Sequence, residues 1–137
     1  MIFGITHSRY QVRLDSRERY DKYHELIERI EMPRDRLREP EARILALRIA
    51  ASRPNREASM TYIKDHIEDY ITLTEIDLKP SLTRSQEQRW QQITGNIVSH
   101  QMAGTSLFNK GFAERTSDGI RVTDLGIAHL IKLGVYP

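Results

Sequence analysis

The chain of 137 residues contains no cysteine, which excludes disulfide bonds and thiolate metal sites. No apolar run approaches the ~18 residues that a membrane span needs, so the sequence predicts no membrane partner. Residues 1–9 hold a histidine and an arginine soon after the first apolar residues and do not resemble a secretory signal. We therefore expect a cytoplasmic protein.

Signatures of common enzyme sites are missing as well. The five histidines are scattered, and none lies three or four residues from another, so there is no helical metal-binding pair. The chain has no Gly-rich phosphate loop, no Gly-x-Ser-x-Gly elbow and no Glu-x-Lys element of the common restriction-type nuclease core. The sequence therefore predicts a protein that is not an enzyme, with no catalytic residue, no metal ligand and no cofactor.

Neither sign of charge dominates, because the formal net charge is only +2. Basic and acidic residues number 9 and 8 in residues 1–39, 6 and 7 in 40–80, and 6 and 4 in 81–137, so the positive excess is C-terminal. Residues 66–78 contain four acidic residues and no lysine or arginine. Phosphate would be repelled by this acidic stretch, and DNA should therefore meet another side of the molecule.

The composition, with 39% hydrophobic and 29% charged residues, is typical of a folded domain. Apolar residues at three- and four-residue spacing predict an amphipathic helix over 15–31, inside an N-terminal extension that covers 1–39. Capping signals and apolar periodicity predict four further helices. They run from Pro40 towards the turn at Arg53, over 58–67, over 84–100, and from Thr123 to Gly134. For the second of these, Ser59 or Thr61 can cap a slightly later start.

The last third of the chain suggests the fold. Asp118-Gly119 lies between two short alternating segments and predicts the turn of a β-hairpin over 112–122, because glycine takes a positive φ at no steric cost. A helix, a hairpin with arginines beside its turn and a second helix follow one another, as in a winged helix. We predict a mainly α winged helix-turn-helix domain with a small β-hairpin over 40–137, preceded by the helical extension.

The helix predicted over 84–100 has two different sides. At 100° per residue, Trp90, Ile93 and Ile97 cluster on one side, which we expect in the core. The opposite side carries amides and hydroxyls, although solvated helices often do. Asparagine and glutamine pair with adenine, and arginine contacts phosphate or guanine. The predicted DNA-binding residues here are Arg84, Gln88, Arg89, Gln92, Asn96 and Ser99.

The hairpin supplies a second set of candidates. Arg115 and Arg121 flank the turn, where a wing reaches a phosphate backbone or a minor groove. The alternative is that they are solvated charges paired with Glu114. Lys110, just before the first strand, is a further candidate for a backbone contact.

Several of these elements together resemble a known family. The residues are Leu73-Thr74, Leu78, Pro80-Ser81, Arg89-Trp90, Ile93, Ile97 and the runs Gly111–Arg115 and Gly119–Gly126. They are similar to the winged-helix domain at the N-terminus of Mrr-type restriction proteins and beside some HNH-type nucleases. The similarity covers about residues 40–133. It implies a DNA-binding module that, in those proteins, targets a separate nuclease domain.

Two features differ from the family pattern. The segment from Trp90 to Gly111 is several residues longer, through an insertion at 102–106, so either 84–100 or 105–110 can be the recognition helix. The sequence also contains no nuclease domain. We therefore expect either a stand-alone DNA binder or a subunit whose nuclease or regulatory partner is a separate polypeptide.

Two functions follow as the main hypotheses, and a small nuclease with an unrecognised site is a third, weaker one. The first is a non-enzymatic protein that binds double-stranded DNA, regulatory or restriction-associated, with helix 84–100 in the major groove and wing 115–121 on the backbone. Its helix over 15–31 would pack on the body or join two copies in a homodimer. The alternative is a winged-helix protein–protein interaction or assembly subunit, which would use its acidic 68–77 face or its first helix. An uninterrupted positive face through the four candidate arginines would favour DNA, and carboxylates within it would favour protein.

Overall fold

The computed structural model describes residues 35–137. The predicted helix over 15–31, and with it the proposed dimer contact, lies outside the described residues. Within 35–137 four helices and three strands form a small α+β domain. The helices are α1 (Glu39–Ala51), α2 (Met60–His66), α3 (Arg89–Ser99) and α4 (Asp124–Leu133), and the strands are β1 (Glu57–Ser59), β2 (Ala113–Arg115) and β3 (Gly119–Val122). In chain order they are α1, β1, α2, α3, β2, β3 and α4.

The sheet is antiparallel, with its strands in the order β1, β3, β2. Within residues 35–137 the sequence predicted strands only for the β2–β3 hairpin and placed 58–67 in a helix, so it missed β1. The alternative start capped by Ser59 is correct, because the Ser59 side chain accepts the Tyr62 N–H. Glu57 pairs with Arg121 and Ser59 with Gly119, so the helix begins only at Met60. A three-residue strand is too short for its alternation to be recognised in the sequence.

Gly119 allows β1 to join the sheet because it has no side chain. A Cβ at this position would lie 1.9 Å from the carbonyl oxygen of Ala58. The hairpin forms where the sequence predicted it, but for a different reason, since Gly119 does not have a positive φ. Instead, Thr116 closes the turn: its N–H donates to the Gly119 carbonyl, and its Oγ1 accepts from the Gly119 N–H, both at 3.0 Å.

Helix α1 forms the centre of the core. Pro40 lies in its first turn, where the missing N–H costs no hydrogen bond. The helix contacts α2, α3, α4 and β3. Leu37, which the sequence assigned to the extension, is also buried in this core. The buried residues of α1 are Ala42, Leu45, Ala46, Leu47, Ile49, Ala50 and Ala51.

Helix α3 is shorter than the predicted 84–100. Gln86 has a φ of 68°, which is incompatible with a right-handed helix, and Gln91 caps the true start by accepting the Gln88 N–H at 2.8 Å. Trp90 is buried, as the sequence predicted. Residues 105–110 form turns and no helix, so α3 is the helix that precedes the hairpin.

Helix α4 begins and ends as predicted. The Thr123 hydroxyl accepts the Gly126 N–H at 3.0 Å, and Gly134 ends the helix in the left-handed conformation with a φ of 78°. The N-cap bond and the left-handed turn each involve residues within four positions of Thr123 and Gly134. None of the helices within residues 35–137 has the length and apolar character needed to cross a membrane.

Candidate nucleic-acid interface

The loop before α3 covers part of the helix face that the sequence assigns to DNA. Ser81 Oγ in this loop donates a hydrogen bond to Oε1 of Gln92, which leaves the Gln92 amide N–H groups as donors. The side-chain oxygen of Gln88 accepts from the indole Nε1 of Trp90 at 2.8 Å. Asn96 is half-buried, and its side chain has no hydrogen-bond partner within residues 35–137. The side-chain oxygens of Gln88 and Gln92 are therefore occupied inside the protein, whereas their amide N–H groups and the Asn96 side chain have no hydrogen-bond partner within residues 35–137.

Arg84 lies flat on the same face of α3. Its Nη2 donates to Ser99 Oγ at 3.1 Å, and its Nη1 is only 2.9 Å from the position that a Cβ on Gly95 would take. Glu87 lies 3.5 Å from this guanidinium and 3.3 Å from Nζ of Lys64. Because two cations share one carboxylate, the cluster keeps a net positive charge.

A guanidinium without a carboxylate partner lies near each end of α3. Arg89, the first residue of the helix, donates from Nε to the carbonyl oxygen of Pro80 at 3.3 Å. Arg115 on β2 donates from Nη1 to Oε1 of Gln101, two residues beyond Ser99, at 3.3 Å. Among the residues that the structure describes, neither arginine forms an ion pair. Both are therefore free to meet an anion.

Arg121 differs, because it lies between two carboxylates on the exposed face of the sheet. Its Nε donates to Glu57 Oε2 at 2.8 Å, and its Nη1 donates to Glu114 Oε1 at 3.2 Å. The strand register places the three side chains in one row across β1, β3 and β2. Glu57 and then Glu114 raise the pKa of the arginine above its ordinary value. For Arg121 the structure therefore agrees with the alternative stated from the sequence, in which the hairpin arginines are solvated charges paired with Glu114. Because it holds two glutamates and one arginine, the row has a net negative charge.

A small basic patch lies at the end of β2 opposite the hairpin turn. Lys110 is exposed and has no partner in the described part of the chain. Lys110 and Lys132 both lie near His129, whose ring stacks on Phe112 with centroids 4.2 Å apart. Burial, and then the charges of Lys132 and Lys110, lower the pKa of His129. The sequence did not reveal Lys132 as part of this patch, because only the fold brings it near Lys110.

The four candidate arginines do not form one uninterrupted positive face. Glu87 lies beside Arg84, and two glutamates flank Arg121. Arg89 and Arg115 form no ion pair with any residue of the described range 35–137. By the criterion stated from the sequence, these carboxylates favour the protein-interaction alternative, and the part of the face that still suits a DNA contact is limited to the two ends of α3.

Two further observations bear on function. In the part of the chain that the structure describes, no group of three or more potential ligands is placed to hold a metal ion. Comparison of the chain with protein-family models, with curated proteins and with solved structures finds no match. The resemblance to the Mrr-type winged-helix domain stays a prediction.

Proposed function

We propose that residues 39–133 form a winged-helix domain that binds double-stranded DNA with α3 in the major groove. The order of the elements supports this assignment. In a winged helix a short strand after the first helix joins the hairpin that follows the third helix, and β1 here pairs with β3. The β2–β3 hairpin then corresponds to the wing.

The pair of free guanidiniums at the ends of α3 carries the proposal. The helix advances ten steps between Arg89 and Ser99, or about 15 Å at 1.5 Å per residue. The major groove of B-DNA is about 12 Å wide. The two helix ends beside which Arg89 and Arg115 are held are therefore spaced suitably for phosphates on either side of the groove, with Asn96 between them for base contacts.

The test is the salt dependence of DNA binding. Fluorescence anisotropy would measure the affinity for a mixed-sequence duplex over a series of salt concentrations, starting at ~50 mM. Arg89→Gln and Arg115→Gln should each weaken binding and reduce the slope of log K against log salt by about one, because each removes one phosphate contact.

The matched control is Arg53→Gln, which removes one positive charge at a position after α1. The Arg53 guanidinium lies 4.0 Å over the ring of Tyr62 and takes no part in the α3 face. This variant should keep the wild-type slope. If the wild-type protein shows no binding to duplex DNA even at ~50 mM salt, the proposed function is wrong.

A protein-interaction or assembly role is the second candidate, and apolar residues on α4 favour it. Leu125 and Ile131 are 55% and 57% exposed, and Ala128 lies between them at three-residue spacing. An exposed apolar stripe on one face of a helix is a candidate contact surface for another protein. Light scattering of the wild type and of a Leu125→Ser, Ile131→Ser double variant would show whether the stripe supports self-association, and unchanged DNA binding would separate the two roles.

A further inference from the structure

A cleft of about 390 Å³ lies beside the proposed DNA-binding helix. We call it the α3 cleft. Its volume falls within the range of about 300–1,000 Å³ that is usual for small-molecule sites. The residues that matter for its chemistry are Arg36, Leu37, Ile76, Arg89, Gln92 and Ile93.

The carboxylates that line the α3 cleft already have partners in the protein. Asp77 is 1% exposed, and its two oxygens accept the backbone N–H groups of Leu37 at 2.7 Å and Thr74 at 3.0 Å. Glu39 pairs with Arg43 at 3.4 Å. Neither carboxylate is available to a cationic ligand, so the cleft is not suited to a cation.

Two cations of the cleft, in contrast, lack a carboxylate partner. Arg36 precedes α1 and Arg89 begins α3, so they come from different elements of the wall. Within residues 35–137 neither forms an ion pair. Gln92 adds amide N–H donors, since its oxygen is taken by Ser81. The polar groups left over are cations and hydrogen-bond donors, which suit an anionic ligand.

The rest of the wall is aliphatic. Leu37 is buried, Ile93 is half-buried, and Ile76 also lines the cleft. Leu82, at 81% exposure, adds a further apolar side chain to the lining. A free phosphate would leave these apolar groups unused, and an aliphatic ligand would leave the guanidiniums unused. A nucleobase on its sugar-phosphate chain has flat apolar faces, a polar edge and flanking negative charges. These three features match the aliphatic wall, the N–H donors of Gln92 and the two guanidiniums, in that order.

We propose that the α3 cleft accepts one unpaired nucleobase of bound DNA, with the adjoining phosphates on Arg36 and Arg89. The inference rests on the proposed function, because the cleft shares Arg89 and Gln92 with the proposed DNA-binding face. It adds to that function a preference for DNA in which a base is unpaired.

The experiment compares two duplexes of the same sequence, one fully paired and one with a single unpaired 2-aminopurine. Anisotropy with the full chain should show about tenfold tighter binding of the second duplex, because an unpaired base avoids most of the cost of leaving the stack. The fluorescence of the 2-aminopurine should also change on binding, since the base moves into a protein environment.

Thr83→Trp tests whether the cleft itself is responsible. Thr83 is an exposed residue of the cleft wall, and a tryptophan there should obstruct the site without disturbing the core. This variant should bind the two duplexes with equal affinity. Ser85→Trp is the matched control, since Ser85 lies in the same loop, is exposed and does not line the cleft. It should keep the preference, and Arg36→Gln should weaken it.

The outcomes separate this inference from the proposed function. Equal affinity of the wild type for both duplexes overturns the inference and leaves DNA binding intact. A preference that survives both Thr83→Trp and Arg36→Gln also overturns it, because the unpaired base is then recognised elsewhere. Failure of the wild type to bind either duplex overturns the proposed function as well.

Discussion

Gly126, the third residue of α4, should not tolerate even one added methyl group. A Cβ there would lie 2.1 Å from the carbonyl oxygen of Phe112 and 2.7 Å from Cγ1 of Val122. The Phe112 carbonyl is held in place, because it accepts the backbone N–H of Thr123 at 3.0 Å. Gly126→Ala therefore places an atom against backbone that has little freedom to move away.

The expected change in the free energy of unfolding on Gly126→Ala is the sum of two opposing effects. Helix propensity favours alanine over glycine by up to about 1 kcal/mol. Against this, ordinary contacts begin at 3.4 Å, so the 2.1 Å approach is 1.3 Å too close. Overpacking of this kind costs about 1–3 kcal/mol, occasionally more. Because the hydrogen-bonded backbone at Phe112 cannot easily move away from the new methyl group, we expect the free energy of unfolding to fall by about 2 kcal/mol in total. This would lower the melting temperature by roughly 8–16 °C.

Gly95→Ala is the matched control, because this glycine also lies in a helix. Its Cβ would approach side-chain ends alone, the guanidinium of Arg84 at 2.9 Å and Nζ of Lys64 at 3.6 Å. Moving the guanidinium aside gives up its exposed hydrogen bond to Ser99, which the gain of up to about 1 kcal/mol from helix propensity offsets, so this variant should keep the wild-type stability. Urea unfolding followed by circular dichroism measures both variants. If Gly126→Ala proves as stable as Gly95→Ala, the close packing of α4 on Phe112 is not a constraint and the reasoning is wrong.

The remaining predictions concern two titratable residues. Asp77→Asn should lower the free energy of unfolding by about 1–3 kcal/mol, because the single oxygen of an amide cannot accept the N–H bonds of both Leu37 and Thr74. The control Asp65→Asn, at an exposed position, should change this free energy little, and urea unfolding at neutral pH compares the two variants. The pKa of His129 is lowered by burial, Lys132 and Lys110, so the unfolded chain binds more protons and stability should fall as the pH drops through the usual histidine pKa of about 6.5. Unfolding at pH ~7.5 and ~5.5 should show a smaller fall for Lys132→Gln than for the wild type, and equal falls would contradict the assignment.

Elements with a local signal were predictable from the sequence. Pro40 marks the first turn of α1, and Thr123 and Gly134 mark the two ends of α4. Asp118-Gly119 correctly located the hairpin between β2 and β3. In each case the signal and the structure it specifies lie within a few residues of each other, so no distant contact is needed.

Elements that depend on distant residues were missed. Strand β1 forms because Gly119, sixty residues further along the chain, leaves room for the Ala58 carbonyl. The start of α3 depends on the left-handed conformation of Gln86 and on a capping box in which Gln91 accepts the Gln88 N–H. This box is hard to recognise in the sequence, because its N-cap residue is glutamine and not the usual serine or threonine. Neither position had a pattern that sequence periodicity could detect.

The sequence predicted the residue types of the candidate site better than it predicted which of those side chains are free to bind a ligand. Arg121 and Arg115 look alike in the sequence, yet only the strand register shows that Arg121 lies between Glu57 and Glu114. The helical wheel likewise placed Gln88 outward, because it contains no information on the bond to the Trp90 indole. Charge pairing across a sheet is a property of the folded chain and cannot be read from spacing.

The short strands of the sheet have a practical consequence. Both edge strands, Glu57–Ser59 and Ala113–Arg115, are three residues long, and each carries a glutamate. Intermolecular β-pairing needs a longer row of free backbone donors and acceptors and is discouraged by charge at the edge. Concentrated samples for crystallisation or NMR should therefore resist aggregation through the sheet.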